Sequence, residues 1–333
     1  MIKTDFSEVK DLFLVYPEGF DKVHSQLTGF YKKLLGVIPQ EIHLFIIVNN
    51  EKAGIKIKSH YPNKNIDIIP IPNFNEIWLR DIMGFNTGEN RIYKPIYSPD
   101  YCKYIYTAGY LEIVNRQLKE IIEKSTKAEI IELPIVLDGG NLITNGEIGF
   151  ITDKIYNDNK ELGKNVKSII RNYLGIEPII IKSNKNDKLS HTDGYMAFLN
   201  KKKICISQYP EIAFLKDDNK YLEAIRQETA KHSLETIKIY DRPVAEKVIG
   251  GGNAENDKSK DCLSSARGIY INFLRLNDTI ILPEYSIPGY KKAIEYNTIN
   301  KQALTNLGYK VITINCDEIA RLGGSLRCIT FTN

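Results

Sequence analysis

The sequence predicts an α/β fold, and three observations carry that expectation. Short apolar runs rich in β-branched residues recur along the chain, stretches of helical period lie between several of them, and two runs stand close enough together to form a hairpin. The chain has 333 residues, 43% of them hydrophobic, which is enough to bury a large core.

In chain order the runs expected as strands are Glu41–Val48, Ile66–Ile71, Ala128–Val136, Pro178–Lys182, Lys203–Ser207, Leu234–Ile239, Ile269–Leu274, Asp278–Leu282 and Lys310–Ile314. Helices are expected over Phe20–Leu35, Tyr110–Glu123, Asn159–Tyr173, Glu211–His232 and Gly289–Leu307, where apolar residues return every three to four positions. The runs Ile269–Leu274 and Ile280–Leu282, separated by Arg275 to Asp278, read as a hairpin and argue against a purely parallel sheet. The units thus look like strands plus one helix, repeated about five times without a residue-level repeat. No Pro- or Ser-rich linker divides the chain, so residues 1–333 are expected to form a single domain. The polar stretch from Gly250 to Cys262 reads either as a disordered loop or as a lid beside a site, and it lacks the Lys-Ser/Thr that a phosphate cradle needs.

Lys and Arg number 45 against 41 Asp and Glu, a net charge of +4 spread along the chain. The one tight basic run, Lys201-Lys202-Lys203, reads as a solvated strand end, and no nucleic-acid partner is expected. The five cysteines are odd in number and form no C-x-x-C pair, so neither a disulfide framework nor a zinc site is suggested, and a reducing compartment fits best. The N-terminus has no apolar signal region and no run reaches the ~18 apolar residues of a membrane span, so a cytoplasmic location without membrane partners is expected.

Cys328 follows a Gly-Gly bend in Arg321-Leu-Gly-Gly-Ser-Leu-Arg-Cys328, where a thiol is presented rather than packed, and it reads as a nucleophile. Of the five histidines, four sit in helical, strand or lysine-rich surface patterns that suit packed or solvated rings. His191 differs: it lies in His191-Thr-Asp193-Gly just before an apolar run, where alternation puts a base and a carboxylate on one face. An exposed turn offers the same letters. Asp138 closes an apolar run in Asp138-Gly-Gly-Asn141, whose glycines permit close approach of backbone or ligand, and a turn or cap is its plainer reading. Trp78, the only tryptophan, precedes Arg80-Asp81, which read alone is a surface turn. Cys205 and Cys316 are expected in the core, Cys102 and Cys262 in polar and more exposed surroundings, and the tyrosines around Tyr97, Tyr101 and Tyr106 at strand–loop boundaries.

Taken together, W-x-R-D, D-G-G-N, H-x-D-G and G-G-x-x-x-C in that order resemble the agmatine deiminase and bacterial peptidylarginine deiminase family of the guanidino-group-modifying superfamily. The resemblance runs from about Trp78 to Thr330. It implies a five-bladed αβ-propeller, the pentein fold, with the active site in its central channel. It also implies Cys328 as nucleophile, His191 as general acid/base, Asp81 and Asp193 as holders of the substrate guanidinium, and Asp138 as support for His191. Many members have Glu at the Asp138 position, one methylene longer. Asn272, in Tyr270-Ile-Asn272, matches a segment that lines the site in relatives, and Trp78 and Arg80 are carried as substrate-side residues. Relatives of the agmatine type commonly place a histidine before the nucleophile, where this chain has Arg327. On a strand that side chain faces either the sulfur or the opposite side.

The chemistry asks for these residue types. A guanidinium carbon is a poor electrophile, and a thiol of pKa about 8.5 is only slightly ionised at neutral pH. An imidazolium, or the substrate cation, favours thiolate, while paired carboxylates grip the planar N–H fork and aim its carbon. The expected partner is a small guanidino compound such as agmatine, free arginine or peptidyl arginine. No cofactor or metal is required, and a homo-oligomer is compatible with the sequence. Two alternatives remain: an amidinotransferase on the same fold, and a non-catalytic binding protein. A papain-like protease expects its cysteine ahead of its histidine, the reverse of the order here.

Overall fold

The computed structural model describes all residues except 1, 21, 105, 108, 250–262 and 288–291. Three strands open the chain: β1 (Asp11–Val15), β2 (His43–Val48) and β3 (Ile66–Pro70), with β2 parallel to both neighbours. Four three-stranded sheets follow, each repeating one plan. They are β4 (Phe85–Asn86), β5 (Arg91–Ile96) and β6 (Glu129–Val136); β7 (Ile143–Thr144), β8 (Ile148–Thr152) and β9 (Glu177–Ile181); β10 (Met196–Phe198), β11 (Lys203–Gln208) and β12 (Glu235–Tyr240); and β13 (Leu274–Leu276), β14 (Thr279–Glu284) and β15 (Lys310–Asn315). In each, a short first strand forms a hairpin with the second, which crosses through a helix to a parallel third. Finally β16 (Thr330–Thr332) pairs antiparallel with β1, so the last strand supplies the first sheet with the hairpin partner it lacks. The five sheets form the αβ pentein propeller.

The long strands follow from burial on both faces. Leu44 to Val48 of β2 are all buried, covered by helices on one side and adjacent sheets on the other, which is why they read as an unbroken apolar run. The crossover helices bury one stripe. Val114, Leu118, Ile121 and Ile122 do so in helix Tyr110–Ser125, and Val166, Ile170 and Leu174 in helix Asn165–Leu174, which ends on Gly175 at φ 68°. Three buried apolar clusters lie between neighbouring sheets and under these helices.

Several expectations are corrected. The stretch Phe20–Leu35 forms two helices, Lys22–Ser25 and Thr28–Val37, and the stretch from Asn159 is helical only from Asn165. Helix Glu51–His60, capped by Asn50 through its side chain and Ala53 N–H, was not expected. The run Ile269–Leu274 is a loop up to Phe273. The hairpin begins at Leu274 and turns on Asn277 and Asp278, because the N–H groups of Tyr270 and Ile271 are bound by the buried Asp241 carboxylate. The Gly250 to Cys262 stretch lies outside the described residues. Among those described, no helix is long and apolar enough to cross a membrane.

Candidate active site

The short hairpin strand of each sheet, β4, β7, β10, β13 and β16, is entered by a segment that carries one or two of the singled-out side chains. Asp81 lies in helix Leu79–Ile82 before β4, Asp138 caps the 3-10 turn Gly139–Asn141 before β7, and His191 and Asp193 flank Thr192 before β10. Asn272 precedes β13 and Cys328 precedes β16, each by two residues. His191 and Asp193 therefore share a site through a tight turn, Thr192–Gly194, and not through strand alternation.

Glycines let these segments meet. A Cβ on Gly139 would stand 1.9 Å from the Arg80 carbonyl oxygen. A Cβ on Gly140 would stand 2.6 Å from Asp81 Oδ1, 2.8 Å from His191 Nδ1 and 3.1 Å from Asp193 Oδ2, so three polar groups from two other segments close around one bare α-carbon. Gly140 N–H also donates to Asp81 Oδ1 (3.0 Å). His191 is held from behind: its Nε2–H donates to Asp138 Oδ2 (2.8 Å), leaving Nδ1, 3.6 Å from Asp81 Oδ1, toward the cluster. The shorter Asp thus makes the supporting contact.

Cys328 Sγ lies 3.3 Å from Asn272 Oδ1, to which the thiol donates, and 4.0 Å from Asp193 Oδ2. Asn272 binds the loop on both sides. Its Oδ1 accepts from the N–H groups of Arg327 and Cys328, and its Nδ2 donates to the Asp193 carbonyl. No hydrogen bond or ion pair joins Sγ to His191 among the described residues, so the two groups share the cluster without touching.

The electrostatics follow from burial among charges. Burial alone would lower the imidazole, but Asp81 first, then Asp138 and Asp193, hold His191 up at about 9, so it is an imidazolium at neutral pH. Burial pushes Asp81 up to about 7; Asp138 and Asp193 add to this and His191 opposes it. Asp138 is held below the usual carboxylate range because Lys154 and His191 outweigh its burial. Burial raises the Cys328 thiol well above its ordinary value, Asp193 and Asp81 raise it further, and Arg327 opposes them. In the free protein the sulfur is a thiol waiting for positive charge.

The remaining residues have other places. The Trp78 ring covers Gly324, where a Cβ would be 2.3 Å from Cζ3, and Arg80 N–H donates to the Cys328 carbonyl (3.0 Å). The W-x-R-D segment therefore braces the cysteine loop. The Arg80 guanidinium points at Asp5, 3.8 Å away. Arg327, only 6% exposed, donates through Nη1 to Asp193 Oδ2 (2.7 Å) and through Nη2 to Asp5 Oδ2 (3.1 Å). Sequence reasoning missed Asp5 and Lys154. Lys154 Nζ, 5.1 Å from the Tyr101 ring centroid, is 3.5 Å from the Asp138 oxygen that holds His191 and also pairs with Asp158. Nothing local marks either residue. Cys205 and Cys316 are core residues; Cys102, expected in more exposed surroundings, is buried beside Tyr97 and Tyr101; Cys262 lies outside the described residues.

A cavity of about 390 Å³ opens on the cluster, lined by Cys328, His191, Asp193 and Asn272. Phe214, Leu215, Val244 and Ile269 give it apolar walls, and Asp187 and Asp218 add two carboxylates. No arginine or lysine is among the described residues that line it; Asp138, Trp78 and Arg80 stand outside its wall, and Asp81 lies directly behind it, its Oδ1 3.6 Å from Nδ1 of the lining His191. No three His, Cys, Asp or Glu side chains are grouped to hold a metal ion among the described residues.

Comparison with known proteins gives the family and the fold. The family model described as Porphyromonas-type peptidyl-arginine deiminase matches residues 1–333. The agmatine deiminase of Pseudomonas aeruginosa (strain LESB58) is 24% identical over 232 residues, 64% of this chain and 61% of the relative. The solved structure of the C. jejuni agmatine deiminase superposes with a TM-score of 0.72 at 18% identity, covering 100% of this chain and 96% of that one. For the agmatine deiminase of Enterococcus faecalis the values are 0.76, 15%, 99% and 94%.

Proposed function

This chain belongs to the Porphyromonas-type peptidyl-arginine deiminase family and is a guanidino-group-modifying hydrolase, and we propose that it converts the guanidinium of agmatine, or of a related arginine derivative, to a ureido group and ammonia through a covalent Cys328 intermediate. The observation that carries this reading is the closure of Asp81, His191 and Asp193 around Gly140, with the Cys328 sulfur 4.0 Å from Asp193.

A guanidinium entering the cluster meets Asp81 and Asp193, which take its N–H groups. Its charge ionises Asp81 and lets Cys328 release its proton to solvent, so substrate binding creates the nucleophile. The sulfur attacks the central carbon, the C–N π electrons move to nitrogen, and Nδ1–H of the His191 imidazolium protonates the departing amine. The C–N bond breaks and ammonia leaves, with an S-alkylthiouronium on Cys328 and a neutral imidazole. His191 then takes one proton from water as its oxygen attacks the same carbon, the C–S bond breaks, the remaining O–H proton passes to solvent as the C=O forms, and the ureido product leaves behind a thiolate and a recharged His191. Asp138 keeps the ring oriented throughout.

The lining supports agmatine over arginine. Asp187 and Asp218 suit a distal ammonium, whereas a substrate carboxylate finds no arginine or lysine among the described lining residues. The test is a panel of agmatine, arginine and C-terminal-arginine peptides scored for ammonia and ureide. Ammonia and ureide in equal amounts are expected, with agmatine fastest. A new guanidine in place of ammonia would make the protein an amidinotransferase, and silence on the whole panel would refute the reading.

A further inference from the structure

We propose that Arg327 is a specificity-setting residue: its guanidinium sits on Asp193 as a permanent counter-ion, so the substrate's guanidinium shares that carboxylate, which weakens cation binding and raises the reactivity of Cys328. The inference rests on the reading above, in which Asp193 grips the substrate and Cys328 attacks it.

Arg327 is fixed in place. It is buried, its N–H is held by Asn272 Oδ1 (3.1 Å), and its guanidinium spans Asp193 and Asp5. Asp193 therefore already holds a group with the same shape and charge as the substrate head. Its Oδ2 is taken, and Oδ1 receives no hydrogen bond from the described residues, which leaves one oxygen for an incoming N–H. The sulfur stands 4.0 Å from that same Oδ2. A bare carboxylate at this distance opposes thiolate, and a guanidinium hydrogen-bonded to it offsets the opposition.

The charged groups around Cys328 are Asp193 and Asp81, which oppose ionisation, and Arg327 and Arg80, which favour it, with the His191 imidazolium across Gly140. Of these cations, Arg327 alone donates a hydrogen bond to a carboxylate that lines the cavity beside the sulfur. Removing its charge moves two properties in opposite directions. The site becomes more attractive to a cation, and the sulfur becomes harder to ionise.

The experiment compares the intact protein with Arg327→Gln and Arg327→Lys. Alkylation of Cys328 by neutral iodoacetamide is followed against pH on the peptide that carries it, and methylguanidinium binding is titrated in a Cys328→Ala background. For Arg327→Gln the alkylation midpoint is expected to rise by about one pH unit or more, while methylguanidinium binds about tenfold tighter. Arg327→Lys keeps the charge and is expected to stay near the parent in both. A Gln variant in which both properties worsen together, or in which neither moves, overturns the proposal. If Gln does not fold, a lysine variant shifted as a loss of charge predicts overturns it equally, and one that matches the parent in both upholds it. Full turnover after Cys328 is alkylated would instead refute the catalytic reading, and so separates the two failures.

Discussion

Replacing Gly140 with alanine probes the centre of the proposed site with one methyl group. The new Cβ would lie 2.6 Å from Asp81 Oδ1, 2.8 Å from His191 Nδ1 and 3.1 Å from Asp193 Oδ2, where ordinary contact begins at 3.4 Å. The three groups must therefore retreat by roughly 3.4 − 2.6, 3.4 − 2.8 and 3.4 − 3.1, or ~0.8, ~0.6 and ~0.3 Å. Gly140 has no positive φ, so alanine strains no backbone, and the overpacking should cost about 1–3 kcal/mol of stability. Activity should suffer more in proportion, because a displacement near 1 Å in an aligned site costs ~10²-fold, about 2.7 kcal/mol of barrier. The assay is steady-state ammonia release from agmatine beside a thermal melt. A folded Gly140→Ala protein with kcat/KM within about twofold of the parent would show that the working site is not built around this α-carbon.

Further outcomes are expected. Cys328→Ala should abolish ammonia release with an unchanged melting temperature. Asp81→Asn should chiefly raise KM, by on the order of 10-fold or more, as one of two carboxylates on the cation is lost; a change confined to kcat would count against that role. In the proposed mechanism His191, held at about 9, donates its proton as the amine leaves, so kcat/KM should fall as pH rises through about 9. Lys154→Met removes the cation that most opposes burial at Asp138. That carboxylate should then tend to protonate, its grip on His191 weaken and the alkaline limb move to lower pH, alongside a stability loss of about 3–5 kcal/mol seen by denaturant titration.

Strands whose faces are both covered were legible, because β2, β11 and β14 advertise themselves as apolar runs. The first strands of the sheets were not. Phe85–Asn86 and Ile143–Thr144 have two residues each, too few to show any period, and exist because a hairpin partner pairs with them. The loop at Tyr270 misled for the opposite reason: it is as apolar as a strand because it is buried, while a carboxylate supplies the hydrogen bonds a neighbour would give. In the site, the thiol, imidazole and carboxylates stood out because their chemistry restricts residue type. Asp5 did not, since its partner Arg327 is 322 positions away and no local pattern connects them. The orientation of Arg327 likewise depended on those distant acids and not on strand alternation.

Cys328 lies two residues ahead of β16, the strand that fastens the final blade to the opening one. Latch and proposed nucleophile are near neighbours in the same polypeptide. Any event that unzips β16 from β1 would therefore draw the sulfur out of register while the other four sheets keep their pairing, so the proposed site would come apart before the scaffold gives way.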